Sequence, residues 1–104
     1  MDSAQLRKLV KDGLQDAFGQ RLRGVILYGS EVRGDAQPDS DIDFLVLLED
    51  STNHWQDTLT CINALYDLVL EIGRPIHAKP VDADLYELQQ SPLHQMVRRE
   101  GIPA

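Results

Sequence analysis

Residues 24–48 read GVILYGSEVRGDAQPDSDIDFLVLL, and the organisation of the whole chain follows from them. The run from Gly24 to Tyr28 is short, apolar and partly β-branched, the pattern of a buried strand, and it stops at Gly29, where a tight turn is expected. Residues 31–40 are polar and carry Gly34, Pro38 and several Asp, which predicts a loop with room for one helical turn after Ser30. A second apolar run, from Ile42 to Leu48, is bounded by Asp41 before it and Glu49-Asp50 after it and reads as a central strand.

Working outward, residues 3–18 repeat Leu6, Leu9, Val10, Leu14, Ala17 and Phe18 at three- and four-residue spacing, one apolar stripe of a helix that Gly19 stops. Residues 54–72 place Trp55, Leu59, Ile62, Tyr66 and Val69 in a similar stripe, widened by Leu65 and Ile72. This predicts the longest helix, with Ser51, Thr52 or Asn53 as its cap and Gly73 as its stop. Pro75 to Val81 reads as a third strand, whose two prolines suit a sheet edge. A short turn or helix follows around residues 84–88. Ser91-Pro92, a cap followed by proline, opens a last helix with Leu93, Met96 and Val97 inside, Arg98-Arg99 at its basic end and Gly101 as its stop. The order α, β, β, α, β, α predicts an α/β (α+β) fold: a small mixed sheet of three or more strands covered by helices.

Composition bounds the function. A chain of 104 residues, 42% hydrophobic and 26% charged, is expected to form a single domain, 1–104, with an ordinary globular core. Seventeen acidic against ten basic residues give a formal charge of -7, which disfavours direct nucleic acid binding. That acidity suits docking on a basic protein, attraction of divalent cations, or solubility alone. The single cysteine, Cys61, has no partner for an internal disulfide and is expected as a packed core thiol. The charged N-terminal stretch is neither a signal peptide nor a membrane span, so a cytoplasmic location with no membrane partner is expected.

The chemistry is concentrated in residues 29–43. A glycine after a strand lets a bulky anion approach the main chain, and a neighbouring serine hydroxyl with the amides of a helical turn can hold phosphate oxygens. Side chains alternate along a strand, so Asp41 and Asp43 share a face while Ile42 enters the core. Two carboxylates there suit magnesium, which takes one or two of them with waters and substrate phosphates. The same Asp-x-Asp spacing also occurs in turns whose carboxylates only cap amides.

Gly29-Ser30, ten residues, then Asp41-Ile42-Asp43, each half beside an apolar strand, resembles the defining motif of the DNA polymerase β-like nucleotidyltransferase superfamily. Arg33-Gly34 and Ser40 resemble its minimal, single-domain branch (MNT), which includes MntA-type antitoxins of HEPN-domain toxins. The resemblance implies a magnesium-dependent enzyme with one or two ions that transfers AMP from ATP to a hydroxyl, in the antitoxin branch a tyrosine of the partner HEPN toxin. Carried over by position, Gly29 and Ser30 would bind the nucleoside triphosphate, and Asp41 and Asp43 would be the catalytic metal ligands. Arg33 would add a phosphate contact, or remain a solvated loop arginine.

That family supplies a third carboxylate from a later strand, and the strand from Pro75 to Val81 contains none. His77 or Lys79 stands in the expected place, with Asp82, Asp84 and Glu71 as remoter candidates. Arg99-Glu100-Gly101 resembles the ending of members that also lack the acid. Nucleotide transfer to a partner, neutralisation of a partner by binding alone, and a turn merely capped by Asp41 and Asp43 therefore all stay open. His54 and His94 have no ligand spacing to each other or to Cys61 that suits zinc. Trp55, Tyr66 and Tyr86 are expected on core faces.

Overall fold

The computed structural model describes residues 1–104. Helix α1 (Ser3–Phe18) leads through a single 3-10 turn into β1 (Leu22–Tyr28). Then come α2 (Ser30–Arg33), β2 (Ile42–Leu48), α3 (His54–Ile72), β3 (Ile76–Asp82), α4 (Ala83–Glu87), α5 (Pro92–Glu100) and β4 (Ile102–Pro103). The strands form one sheet in the order β3-β2-β1-β4. β1 is antiparallel to both β2 and β4, whereas β2 and β3 are parallel. This is the mixed, helix-covered sheet expected from the sequence, with β3 and its prolines at an edge.

The two faces of β2 explain its unbroken apolar run. Ile42, Phe44, Val46 and Leu48 pack with Val10, Leu14, Cys61 and Leu65 of α1 and α3. Leu45 and Leu47 pack with Tyr28, Tyr86 and Val97, the latter two from α4 and α5. A central strand covered on both faces has no polar face to show, so period-two alternation disappears from its sequence. Cys61 is buried as expected, and burial, with the charge of Asp57 behind it, pushes its thiol up to about 12.

The capping residues behave as their chemistry dictates. Asn53 accepts from the Gln56 amide, Ser91 from those of Leu93 and His94, and Asp82 from those of Asp84 and Leu85. No helix is long and apolar enough to cross a membrane.

Two expectations need correction. The inner face of α3 is Asp57, Cys61 and Leu65, whereas Trp55, Ile62 and Tyr66 are 70%, 55% and 56% exposed. The helix carries two apolar stripes, and the one that starts at Asp57 is buried because that carboxylate is fully partnered. It accepts from Arg21 Nη1 and Nη2, each at 3.0 Å, and from Ser51 Oγ at 2.9 Å. On α1 the buried set is Leu6, Val10, Leu14 and Phe18, with Leu9 and Ala17 outside it. The last helix stops at Gly101 as expected, and beyond it Ile102–Pro103 pairs with Ile26 and Leu27 as β4, a strand that the sequence reading did not assign. Tyr86 packs in the core as expected.

Candidate functional site

The end of β1 and the beginnings of β2 and β3 meet at one end of the sheet. Tyr28 is the register partner of Asp43, and Asp43 is in turn the partner of His77. Gly29, one step beyond Tyr28, has φ 83° and ψ -152°, a region that is almost exclusively glycine's. A Cβ at this position would also lie 2.8 Å from Asp43 Oδ2, so an added side chain would push that carboxylate aside. The carboxylate of Asp43 is thus held against the bare backbone of the turn.

Ser30 opens α2, the helical turn the sequence predicts. The Gly29 carbonyl accepts from the amides of Val32 and Arg33, both at 3.1 Å, and the Gly34 amide closes the turn on the Ser30 carbonyl at 3.0 Å. Residues 35–41 then return to the sheet, with Ser40 Oγ accepting from the Gln37 amide at 2.9 Å. Asp41 is exposed just before β2, and Ile42 behind it is buried in the core.

How the two halves of this segment are tied together is not legible in their residues. Arg74, in the turn between α3 and β3, donates from Nε and Nη2 to the Ser40 carbonyl at 3.2 and 3.1 Å. The same guanidinium pairs with Glu31. One side chain therefore links the residue after Ser30 to the residue before Asp41. An arginine between Gly73 and Pro75 marks a turn, but nothing in its neighbours in sequence reveals partners of which the nearer, Ser40, lies 34 residues away.

Asp43 keeps about a quarter of its side chain exposed (28%) and lies 3.4 Å from His77 Nδ1 through Oδ1. Burial, assisted by the Asp43 charge, raises the pKa of the Tyr28 phenol above the usual tyrosine value. Of the two residues expected in place of a third acid, His77 stands beside Asp43, while Lys79 pairs one side-chain step further along, with Leu45.

The remoter acids do not join the site. Asp82 pairs with Leu48 at the other end of β3, roughly 16 Å away at strand rise. Its carboxylate caps α4 and accepts from the Ser51 amide. Asp84 lines a hollow with Glu49, Asp50 and Glu87 near that far end. Glu71 borders a different cavity, beside Met1, Leu6, Ile42 and Arg74. Arg33 lies at the end of α2, 3.6 Å from Asp35 and 3.8 Å from Glu100, half-exposed. His94 packs against the Tyr86 ring at 5.4 Å. Burial, together with the charge of Lys79, lowers its pKa.

No group of three or more His, Cys, Asp or Glu side chains converges closely enough to form a metal cage. The donor set still suits a cation that takes few protein ligands. Asp43 lies against a glycine turn, and Asp41, two residues before it on the same strand face, is exposed. A magnesium ion there would complete its octahedron with water and phosphate oxygens.

A family model described as "Nucleotidyltransferase domain" matches residues 7–99. No curated protein sequence matches the chain. Among solved structures, a protein described as a minimal nucleotidyltransferase is 28% identical, with a TM-score of 0.59, over 100% of this chain and 97% of that one. A toxin-antitoxin structure with AMP-PNP is 20% identical, with a TM-score of 0.59, over 93% of this chain and 70% of that one. A toxin-antitoxin MntA-HpeT variant is 17% identical, with a TM-score of 0.60, over 99% and 71%. The last two are likenesses of fold.

Proposed function

This chain belongs to the nucleotidyltransferase domain family, and from that premise we propose that it is the antitoxin of a HEPN-type toxin, transferring AMP from ATP to a tyrosine hydroxyl of that partner. The observation that carries the reading is the contact between Asp43 and Gly29. A carboxylate whose Oδ2 lies 2.8 Å from where a Cβ would stand faces the backbone against which phosphates would lie. The family membership, the fold shared with a toxin-antitoxin structure holding AMP-PNP and the acidic charge of -7 support the same reading.

In the reaction, an acceptor hydroxyl oxygen bonds to the α-phosphorus of ATP while the bond to the bridging oxygen breaks. Pyrophosphate leaves, and the hydroxyl gives up its proton. Gly29 and Ser30 receive the triphosphate at the start of α2, and Arg33 turns from Asp35 and Glu100 toward it. Asp41 and Asp43 would hold the magnesium ion. When bound, magnesium neutralises charge on the transferred phosphoryl group and the departing pyrophosphate. His77 is the side chain next to Asp43 that can accept the hydroxyl proton.

A second reading, in which the domain neutralises its partner by binding alone, is favoured because the strand beside β2 supplies no carboxylate and sets an imidazole next to Asp43. ATP labelled at its α-phosphate, incubated with magnesium, this protein and the HEPN-type partner, separates the two. Transfer predicts label on a partner tyrosine, abolished in Asp41→Ala and Asp43→Ala while the complex persists. A stable wild-type complex that acquires no label would leave only the binding reading.

A further inference from the structure

Helix α3 presents an apolar stripe to solvent. Trp55, Ile62, Tyr66 and Leu70 are 70%, 55%, 56% and 64% exposed, and their spacing puts them along one side of the helix. Beside them, Ile62, Leu65, Tyr66, Val69, Pro75 and Ile76 line a hollow between α3 and the start of β3. Scattered exposed apolar residues are ordinary, but four large ones in register beside a hollow, on a helix whose other apolar stripe is already buried, form a surface suited to another protein.

Charge decides what kind of protein. Between His54 and Ile72 there is no Lys or Arg. Asp67 and Glu71, both exposed, follow the stripe on the flank opposite the hollow. A second copy of this chain would bring the same acidic flank and another net charge of -7 to the contact, so self-association is opposed. A partner with an apolar ridge edged by Lys or Arg is complementary in both respects.

Position links this surface to the chemistry. The hollow reaches Ile76 on the edge strand β3, and the next residue, His77, points to the opposite face of the sheet, 3.4 Å from Asp43, so the surface and the site meet only around that edge. From these observations we infer that the outer face of α3, from Trp55 to Leu70 with the hollow at Pro75–Ile76, is where the partner protein docks through an apolar, basic-edged surface. The inference rests on the partner-directed reading of the site.

The test compares the wild type with Ile62→Glu/Tyr66→Glu, Asp67→Lys/Glu71→Lys and Leu85→Glu. Leu85 is a control because it is exposed on α4. Affinity for the purified HEPN-type partner is measured alongside circular dichroism, sedimentation equilibrium of the chain alone and Mg-ATP calorimetry. The first variant is expected to bind the partner about 100-fold more weakly, as for the loss of two anchor residues, and the charge reversal about tenfold more weakly. Leu85→Glu should stay within about twofold. All should keep the wild-type fold and Mg-ATP binding, and the wild-type chain alone should sediment as a monomer.

Undiminished partner binding by Ile62→Glu/Tyr66→Glu would overturn the inference. So would a wild-type chain without affinity for that partner, or a wild-type dimer dissolved by the same variant. Loss of Mg-ATP binding by the wild type would instead strike the nucleotide site, on which the partner measurements do not depend.

Discussion

Replacing Gly29 by alanine tests the geometry on which the site depends, and Gly34 provides a control. Both glycines have positive φ, 83° and 80°. An added Cβ at Gly34 meets nothing within 4 Å, whereas at Gly29 it lies 2.8 Å from Asp43 Oδ2, about 0.6 Å inside ordinary contact. Gly34→Ala therefore carries only the cost of a left-handed residue, about 1 kcal/mol. Gly29→Ala occupies a region essentially reserved for glycine, at about 2 kcal/mol, and must also move the carboxylate. For a domain of this size the difference is roughly 4–8 °C in Tm per kcal/mol. Denaturant titration and Mg-ATP calorimetry of both variants are the assays. The expected outcome is weaker Mg-ATP binding by about tenfold or more in Gly29→Ala and unchanged affinity in Gly34→Ala. Equal stability loss in the two variants with nucleotide binding intact in both would refute the argument that Gly29 exists to admit the Asp43 carboxylate.

Other perturbations separate the remaining parts. Arg74→Ala, which frees the Ser40 carbonyl and Glu31, should cost about 1–2 kcal/mol and weaken Mg-ATP binding severalfold. Arg74→Lys should recover only part, since an ammonium lacks the guanidinium fork; unchanged calorimetry in Arg74→Ala would deny it a positioning role. His77→Asp puts a carboxylate beside Asp43 and should tighten binding of manganese, followed by its paramagnetic resonance, about tenfold; no change would mean that this position does not face the metal. Hydrogen bonds from Arg21, opposed by burial and assisted by Ser51, hold the Asp57 carboxyl below its ordinary range. The resulting stability is present above the unfolded value near pH 4 and is lost as pH falls through the lower folded value. Asp57→Asn should lose about 2 kcal/mol at pH 7 and show a flatter acid limb in urea unfolding from pH 7 to pH 2; a limb parallel to the wild type's would contradict that assignment.

What the sequence disclosed and what it withheld divide along the range of the interactions. The strands from Gly24 to Tyr28 and from Ile42 to Leu48 were legible because continuous apolar runs need no partner to be recognised. The glycine turn and paired aspartates were legible because their chemistry is local. The inner face of α3 was not, because Asp57 reads as a surface residue until Arg21, 36 positions earlier, is placed against it. Only then does the stripe containing Trp55 and Tyr66 face outward. Strand β4 is two residues long and exists only through its pairing with Ile26 and Leu27. The sequence offered both His77 and Lys79, and only the parallel register of β2 and β3 shows that His77 is the one opposite Asp43.

The most direct test of the account is Mg-ATP calorimetry on the wild type and Asp43→Ala. The variant removes only a partly exposed carboxylate at the start of β2, so the folded state should persist by circular dichroism. The account predicts saturable Mg-ATP binding by the wild type that is abolished, or weakened at least about 100-fold, in the variant. Equal binding by both proteins, or none by the folded wild type, would contradict the assignment of this turn as a metal-nucleotide site.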